Sequence, residues 1–215
     1  MCLWVNGLIS STINGNRSQP TPAMLDSTNS SKNRSANLPI QLIYCQFERH
    51  GTQILAIFNH AILHTLSLYE YEPRTLHDIR LWFDFKAKAG FPVLGLVDDH
   101  NQLLGFASYG SFRPQAAFAH TIEHSIYVRP DQQGKGLGKI LLQAIIDEAC
   151  HQQFHSMVAG IDSSNLASIA LHQQFDFQHT GTIYQAAYKF ERWLDLVFYQ
   201  RMLGKAVCSA PKGSQ

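Results

Sequence analysis

The sequence has almost no excess charge of either sign. Its 17 Lys and Arg residues nearly balance its 16 Asp and Glu residues, which leaves a formal net charge of +1. A surface that binds nucleic acid needs a basic excess to neutralise the phosphates. The balance therefore argues against nucleic acid as a partner.

Long apolar runs are missing as well. No run approaches the roughly 20 apolar residues that cross a bilayer. The opening segment MCLWVNGLIS has no positively charged start, and Asn6 interrupts its apolar residues, so it does not fit a secretory signal. We therefore expect a cytoplasmic protein that is not associated with a membrane.

The sequence also lacks the usual spacings of metal and redox ligands. Its four cysteines, Cys2, Cys45, Cys150 and Cys208, lie far apart, in no spacing typical of zinc or disulfide-exchange sites. Eleven histidines are present, but we find no pair four residues apart with a nearby carboxylate on a predicted helix, as a zinc site would need. We predict reduced thiols and no metal.

Composition divides the chain into tails and one domain. The 215 residues, 45% of them hydrophobic, suffice for a single domain with a complete core. Residues 10–37 are rich in Ser, Thr, Asn and Pro, a composition that buries too little apolar surface to offset the entropy lost on ordering. We predict a flexible tail over residues 1–37, a domain over 38–204 and a C-terminal tail over 205–215.

Hydrophobic periodicity within the domain switches between that of helices and that of strands. Apolar residues at i, i+3 and i+4 predict a helix, whereas strict alternation predicts a strand. In chain order the pattern predicts a strand at 39–48, a helix at 54–62, a helix at 76–88, strands at 92–97, 103–109 and 118–128, a helix from 137 to 149, a strand at 156–161, a helix at 165–174, and strands at 177–182 and 187–199. This order predicts an α+β fold with a mixed sheet covered by helices.

A glycine-rich segment connects one of these strands to the following helix. Gly134, Gly136 and Gly138 precede or open the helix, where unpaired backbone N–H groups and the helix dipole favour an anion such as pyrophosphate. Lys135 and Lys139 add positive charge. A nucleoside-triphosphate loop would need Ser or Thr after its Gly-Lys pair, and a dinucleotide fingerprint opens the first βαβ unit; neither fits here. A simple tight turn remains an alternative.

The residues around this loop resemble a known family. The segment QGKGLG at 133–138, after a strand that ends in Ile-Tyr-Val, is similar to the acetyl-CoA pyrophosphate loop of GNAT acetyltransferases. The segments TIEHSIYV at 121–128, NLASIALH at 165–172 and KFERWLD at 189–195 resemble the phosphinothricin and methionine sulfoximine acetyltransferase branch. The resemblance spans about residues 40–203 and implies the GNAT fold.

The resemblance implies acetyl-CoA as the co-substrate. Its thioester and pantetheine arm would be held by the backbone of the strand before the loop, where that strand splays from its neighbour. Asn165 would contact the cofactor, although its position also suits a helix cap. The implied cofactor-binding residues are Ile126, Tyr127, Val128, Gln133, Gly134, Lys135, Gly136, Leu137, Gly138, Lys139 and Asn165.

Two side chains are candidates for the acid–base chemistry. Transfer to an amine requires removal of a proton, because an α-amino group has a pKa near 8. The resemblance implies that Glu123 is the catalytic carboxylate, and His172 occupies a position where many GNAT enzymes carry a tyrosine proposed as general acid. An imidazole can serve as base or acid, so the sequence leaves the base undecided. The ordinary alternatives are a solvent-facing Glu and a helix-surface His.

Substrate contacts are predicted from the same resemblance. Arg113 would pair with an anionic or polar oxygen of the acceptor, with Gln115, Glu123 and His124 nearby. Relatives often carry a second arginine where Gln115 stands, which weakens the expected selection for an anionic side chain. Two further departures, Asp176 and Glu191, replace glycines that are usual in the branch.

The expected function is acetylation of a small, amino-acid-like amine such as methionine sulfoximine, methionine sulfone or phosphinothricin. One alternative is a GNAT enzyme that acetylates a peptide, protein or polyamine amine. Another is an acyl-CoA-binding sensor without turnover, against which the presence of both Glu123 and His172 argues. A homodimer is expected from the family and from an apolar chain end, which the chain's own sheet could equally bury: Trp193, Leu194, Leu196, Val197 and Phe198.

Overall fold

The computed structural model describes residues 40–204. The tails predicted over residues 1–37 and 205–215 lie outside the described residues. Within residues 40–204, none of the helices has both the length and the apolar character needed to cross a membrane.

Residues 40–204 form seven strands and four α-helices. The strands are β1 (Gln41–Tyr44), β2 (Val93–Val97), β3 (Leu103–Ser111), β4 (Thr121–Val128), β5 (Ser156–Asp162), β6 (Gln178–Lys189) and β7 (Arg192–Met202). The helices are α1 (Phe47–His64), α2 (Leu76–Ala89), α3 (Leu137–His151) and α4 (Leu166–Gln173).

All seven strands belong to one twisted mixed sheet, in the order β1-β2-β3-β4-β5-β7-β6. Every neighbouring pair is antiparallel except β4 and β5, which run parallel. The parallel pair is joined by the crossover through α3, as parallel neighbours require. The predicted mixed sheet with flanking helices is confirmed.

Two apolar clusters cover the two faces of the sheet. One contains Ile54 of α1 and Ile79 of α2 with Tyr127 of β4, and the other contains α3 residues such as Leu141 with Ile122 of β4. Side chains alternate between faces along a strand. Odd-numbered residues of β4, including Glu123, therefore face α1 and α2, whereas even-numbered residues face α3 and α4.

Helix α2 begins and ends at the residues that local chemistry favours. At its start the Thr75 hydroxyl accepts a hydrogen bond from the Asp78 N–H, and the Asp78 carboxylate accepts one from the Thr75 N–H, which is a capping box. At its end Gly90 adopts a left-handed conformation, with φ 71°. The predicted helix at 76–88 is confirmed and extends by one residue to Ala89.

Two boundaries differ from the sequence-based expectation. Helix α1 begins at Phe47, inside the predicted first strand, because the His50 ring nitrogen accepts a hydrogen bond from the Gln46 N–H at the helix start (3.0 Å). The predicted turn near 183–186 is a bulge within β6, where the Gln185 N–H donates to the Asp195 carboxylate (2.8 Å). The true turn between β6 and β7 lies at Phe190 and Glu191.

The turn conformations account for the two departures from the family's glycines. Phe190 and Glu191 both have positive φ, 51° and 59°, and Asp176 has φ 59°. Glycine adopts this region at no steric cost, whereas other residues enter it less readily. The glycines of the relatives therefore match turns that this chain forms with Asp176 and Glu191.

Candidate active site

A cleft of about 450 Å³ opens where β4 and β5 diverge. Their parallel pairing covers only residues 121–123 of β4 and 156–158 of β5. Beyond it, β4 stays paired with β3 as far as Val128, and β5 stays paired with β7 as far as Asp162. The two strands are therefore held apart by their outer neighbours. Ile126, Tyr127 and Val128 line the cleft, and their predicted contact with acetyl-CoA stays a prediction.

The glycine loop forms one side of the cleft. Gly134 and Gly136 have φ of 75° and 80°, and a Cβ added to either would meet no heavy atom within 4 Å. The loop therefore needs glycine for its backbone conformation and presents open space at the start of α3. Such a helix start favours an anion. The cleft is lined here by Gln133, Gly134, Gly136, Leu137 and Gly138.

The two lysines near the loop lie outside the cleft lining. Lys135 and Lys139 are exposed, and the Lys135 ammonium donates to the Gln132 side-chain carbonyl (2.9 Å). Asn165, by contrast, lines the cleft. Its side-chain oxygen accepts a hydrogen bond from the Ser168 N–H (3.1 Å), so it caps α4. The cap and a contact with the cofactor are compatible.

Glu123 is a buried carboxylate at the closed end of the divergence, beside the cleft-lining Gly160 but not itself part of the cleft lining. Its side chain is only 7% exposed and belongs to the last residue of β4 that pairs with β5. Burial raises the pKa of Glu123 above its ordinary value, and the nearby positive charge of Arg113 partly opposes the rise. A carboxylate with a raised pKa is a better proton acceptor for an ammonium group.

Gly160 of β5 leaves the space that the Glu123 carboxylate occupies. A Cβ added to Gly160 would lie 3.2 Å from the Glu123 Oε1 atom, tighter than ordinary contact. A glycine inside a strand often marks such a close approach. A glycine inside a predicted strand could therefore have pointed to Gly160, which the sequence analysis did not name.

His172 is buried on the opposite face of the sheet from Glu123. Its Nδ1 lies 2.7 Å from the Ser168 carbonyl oxygen and its Nε2 lies 3.2 Å from the Nε2 of His124. A carbonyl only accepts hydrogen bonds, so His172 carries its proton on Nδ1. The His172 Nε2 therefore accepts from the His124 Nε2–H, and both nitrogens of His172 are engaged.

Burial also keeps this histidine pair neutral. Desolvation lowers the pKa of His172 to about 4, with the Ser168 carbonyl opposing the shift. Burial and the neighbouring His172 lower the pKa of His124 well below its ordinary value. The rings stack at 5.1 Å between centroids, and both contact Phe177. His124 and His172 both line the cleft, on the α3 and α4 face of the sheet, which is opposite to the face of Glu123.

The other predicted substrate contacts lie away from the cleft lining. Arg113 is exposed, its guanidinium donates to the Phe112 carbonyl (2.9 Å) and lies 4.2 Å over the Phe112 ring. Gln115 is also exposed, and its carbonyl accepts from the Phe118 N–H (3.0 Å) at the start of a short 3-10 helix. The positive charge of Arg113 nevertheless favours the ionised form of Glu123 and so opposes the rise of its pKa on burial.

The structure adds a wall of the cleft that the sequence analysis missed. It comprises Ile57, His60 and Ala61 of α1 and the residues that follow the helix, Thr65, Leu66 and Ser67. No sequence motif marks these positions. The local sequence does not show that the turn after α1 packs near strands that lie far away along the chain.

Comparisons with known proteins agree with this geometry. The model of the acetyltransferase (GNAT) family matches residues 59–177. The L-methionine sulfoximine/L-methionine sulfone acetyltransferase of Pseudomonas aeruginosa is 48% identical over 147 residues, which are 68% of this chain and 86% of the relative. The phosphinothricin N-acetyltransferase of Streptomyces coelicolor is 32% identical over 149 residues, 68% of this chain and 87% of the relative.

A solved structure supports the same assignment. The structure of yncA from Salmonella typhimurium with its cofactor acetyl-CoA matches with a TM-score of 0.77 and 38% identity, covering 80% of this chain and 98% of that chain. The resemblance read from the three motifs, including the branch, is thereby confirmed. The chain belongs to the GNAT family and is an acyl-CoA-dependent acetyltransferase.

Proposed function

We propose that this enzyme transfers an acetyl group from acetyl-CoA to the α-amine of a small amino-acid analogue. The acceptor's side chain carries a tetrahedral sulfur or phosphorus centre, as in methionine sulfoximine, methionine sulfone or phosphinothricin. The observation that carries the proposal is the end of the β4–β5 pairing at Glu123, which leaves a buried carboxylate beside Gly160, a residue that lines the cleft. The name of the Pseudomonas relative supports this class of acceptor.

The glycine loop suits the pyrophosphate of acetyl-CoA. Gly134 and Gly136 leave open space beside the start of α3, where backbone N–H groups without helical partners can donate to phosphate oxygens. From there the cleft continues between the diverging strands past Val128 and Ile126. This path would bring the thioester towards Glu123.

Glu123 is our candidate for the general base. The acceptor amine has a pKa near 8 and is mostly protonated at neutral pH. Glu123 would accept its proton directly or through a water, and the uncharged amine then forms a C–N bond to the acetyl carbon while the C–S bond breaks. CoA leaves as a thiolate, which takes up the second proton that the nitrogen loses as it becomes an amide. The His172 imidazole is a weaker candidate, because both its nitrogens are engaged and its pKa is lowered to about 4.

The acceptor's side chain should be selected by polarity more than by full charge. With Gln115 in place of an arginine that relatives often carry, one positive charge is missing near Arg113. Neutral sulfoximine and sulfone should then be preferred to the anionic phosphinothricin. Arg113→Ala should mainly raise KM if Arg113 binds the acceptor equally in the ground and transition states.

The proposal is tested by free-thiol release from acetyl-CoA with a panel of acceptors. The panel contains methionine sulfoximine, methionine sulfone, phosphinothricin, a polyamine and a peptide with a free N-terminus. We expect kcat/KM to be highest for the sulfone or the sulfoximine. No turnover of the three amino-acid analogues, with brisk acetylation of the polyamine or the peptide, would reject this acceptor class.

We also propose that the enzyme is a homodimer. Leu194, Leu196 and Val197 are buried in the chain's own sheet, but Trp193 and Tyr184 on the β6–β7 hairpin are 61% and 76% exposed. Exposed apolar patches mark interaction surfaces. Light scattering should give twice the chain mass of 24.2 kDa, and a stable monomer at micromolar concentration would contradict the dimer. A cytoplasmic location stays a prediction.

A further inference from the structure

A buried lysine organises the chain just after α1. Lys189, near the end of β6, is 2% exposed. Its ammonium donates to the carbonyl oxygens of Ile62 (2.6 Å), Thr65 (3.0 Å) and Leu68 (2.5 Å). An ammonium has three donors, and here all three are used by one short segment of main chain.

These three carbonyls belong to the stretch of chain that contains the cleft-lining residues after α1. Ile62 and Leu68 flank Thr65, Leu66 and Ser67, which line the cleft. Carbonyls in the last turn of a helix lack helical partners, and a cation is favoured there. The chain after α1 therefore curves around the Lys189 ammonium.

A second contact holds the same segment from the other side. The Tyr69 hydroxyl donates to the Asp162 carboxylate (3.0 Å), which is 5% exposed at the end of β5. The other oxygen of Asp162 accepts from the N–H and the hydroxyl of Ser164. The segment 65–69 is thus tied to β6 through Lys189 and to β5 through Tyr69.

We propose that Lys189 is a positioning residue that, together with the Tyr69–Asp162 hydrogen bond, fixes the segment 65–69 as the acceptor-side wall of the cleft. It sets the affinity for the acceptor without touching it. The assignment to the acceptor rests on the proposed function, whereas the positioning of the segment stands on the contacts alone.

The faces of the sheet indicate that this wall serves the acceptor and not the pyrophosphate. The segment follows α1 and lies on the α1 and α2 face, which is the face of Glu123. The glycine loop leads into α3 on the other face. Loss of Lys189 should therefore change acceptor binding more than acetyl-CoA binding.

The chain supplies a matched control lysine. Lys86 of α2 is 3% exposed, and its ammonium donates to the Tyr109 carbonyl (2.6 Å). It is buried like Lys189, but the Tyr109 carbonyl belongs to β3 and not to the chain after α1. Replacing either lysine by Met leaves carbonyl groups without a strong donor, so both variants should be less stable than the parent.

The test compares Lys189→Met with Lys86→Met in the full-length enzyme. In Lys189→Met we expect the KM for methionine sulfone to rise about tenfold, with kcat changed less than about twofold. The Kd for acetyl-CoA, measured by titration calorimetry, should stay within about twofold of the parent value. Amide hydrogen exchange over residues 65–69 should become faster. Lys86→Met should leave the acceptor KM and this exchange unchanged.

A milder pair covers the case in which Lys189→Met does not fold. Tyr69→Phe removes only the hydroxyl that binds Asp162, and Tyr44→Phe removes an equivalent hydroxyl that donates to the Glu148 carboxylate (2.8 Å) at the other edge of the sheet. Tyr69→Phe should raise the acceptor KM about threefold and speed exchange over 65–69. Tyr44→Phe should change neither.

The outcomes separate this inference from the proposed function. Unchanged exchange over residues 65–69 in both Lys189→Met and Tyr69→Phe, or in Tyr69→Phe alone if the lysine variant unfolds, overturns the positioning role. Faster exchange with an unchanged acceptor KM overturns the link to acceptor affinity. If the parent acetylates none of the amino-acid analogues, the proposed function fails, and the exchange measurement still decides whether Lys189 positions the wall.

Discussion

The two sides of the cleft are built in different ways. The glycine-loop side is a run of consecutive residues, 133–139, whose conformation follows from its own glycines and from the start of α3. The acceptor side is assembled from distant parts of the chain. Lys189 and Ile62 are 127 positions apart, and Tyr69 and Asp162 are 93 apart.

This difference explains why the glycine-loop side could be predicted from the sequence and the acceptor side could not. Glycine spacing before a helix is a local pattern with a local physical cause. A buried ammonium that binds main-chain carbonyls leaves no pattern around those carbonyls, because any residue type supplies a carbonyl group. The two sides should also respond differently to substitution.

The largest effect is expected at Glu123. Glu123→Gln keeps the size of the side chain but removes the proton acceptor, so kcat should fall by about 100-fold or more, whereas the Kd for acetyl-CoA should change little. Single-turnover and steady-state assays measure the first and calorimetry the second. The exposed Glu191→Gln serves as control. An active Glu123→Gln enzyme would remove the carboxylate from the mechanism.

The next effect is expected at the glycine loop. Gly136→Val places a β-branched residue at φ 80°, a conformation that such residues rarely adopt, so the affinity for acetyl-CoA should fall by about 100-fold. Gly90→Val is a matched control, since Gly90 has φ 71° and open space but caps α2 far from the loop. Parental acetyl-CoA affinity in a folded Gly136→Val protein would show that the loop is only a turn.

A smaller effect is expected where the two strands diverge. Gly160→Ala puts a methyl group 3.2 Å from the present position of the Glu123 carboxylate, so the carboxylate must shift by a few tenths of an ångström. We expect kcat to fall about tenfold, because a positioned base is sensitive to small displacements. Gly181→Ala in β6, where an added Cβ meets no atom within 4 Å, should leave kcat unchanged. Equal activity of both variants would mean that Glu123 needs no fixed position.

The smallest effect is expected outside both sides of the cleft. Asp176→Gly restores the glycine usual in relatives at φ 59°. Relief of the left-handed conformation, offset by the greater chain entropy of glycine when unfolded, should raise the free energy of unfolding by at most about 1 kcal/mol. Denaturant unfolding measures this change, and KM and kcat should stay the same. Clear destabilisation would show that Asp176 makes a contact of its own.

Most of the fold followed from periodicity, and the failures have local causes. The apolar alternation of β4 and the helical spacing of α3 were sufficient to predict these two elements, because the apolar side chains of each face the core between them. The start of α1 was placed too late because a His50 ring, and not a common capping residue, accepts from the Gln46 N–H. The residues near 183–186 form a bulge within β6 and not a turn, because the Gln185 N–H donates to the Asp195 carboxylate.

Only those residues of the site that belong to a recognisable motif could be predicted from the sequence. Residues 124–128 of the strand motif and most of the glycine loop line one cleft, whereas Glu123, Lys135 and Lys139 do not line it. Which sheet face each side chain occupies became visible only with the strand register, which places Glu123 and His172 on opposite faces. Their roles stay predictions until they are measured.

The central claim is that the Glu123 carboxylate, and not the His172 imidazole, takes the proton from the amine. The pH dependence of kcat/KM with methionine sulfone tests it most directly, in the parent and in His172→Gln. Because burial raises the pKa of Glu123 above its ordinary value and lowers that of His172 to about 4, the parent should lose activity on acidification with a midpoint above that of an ordinary glutamate. His172→Gln should retain that midpoint, and its disappearance in His172→Gln would contradict the claim.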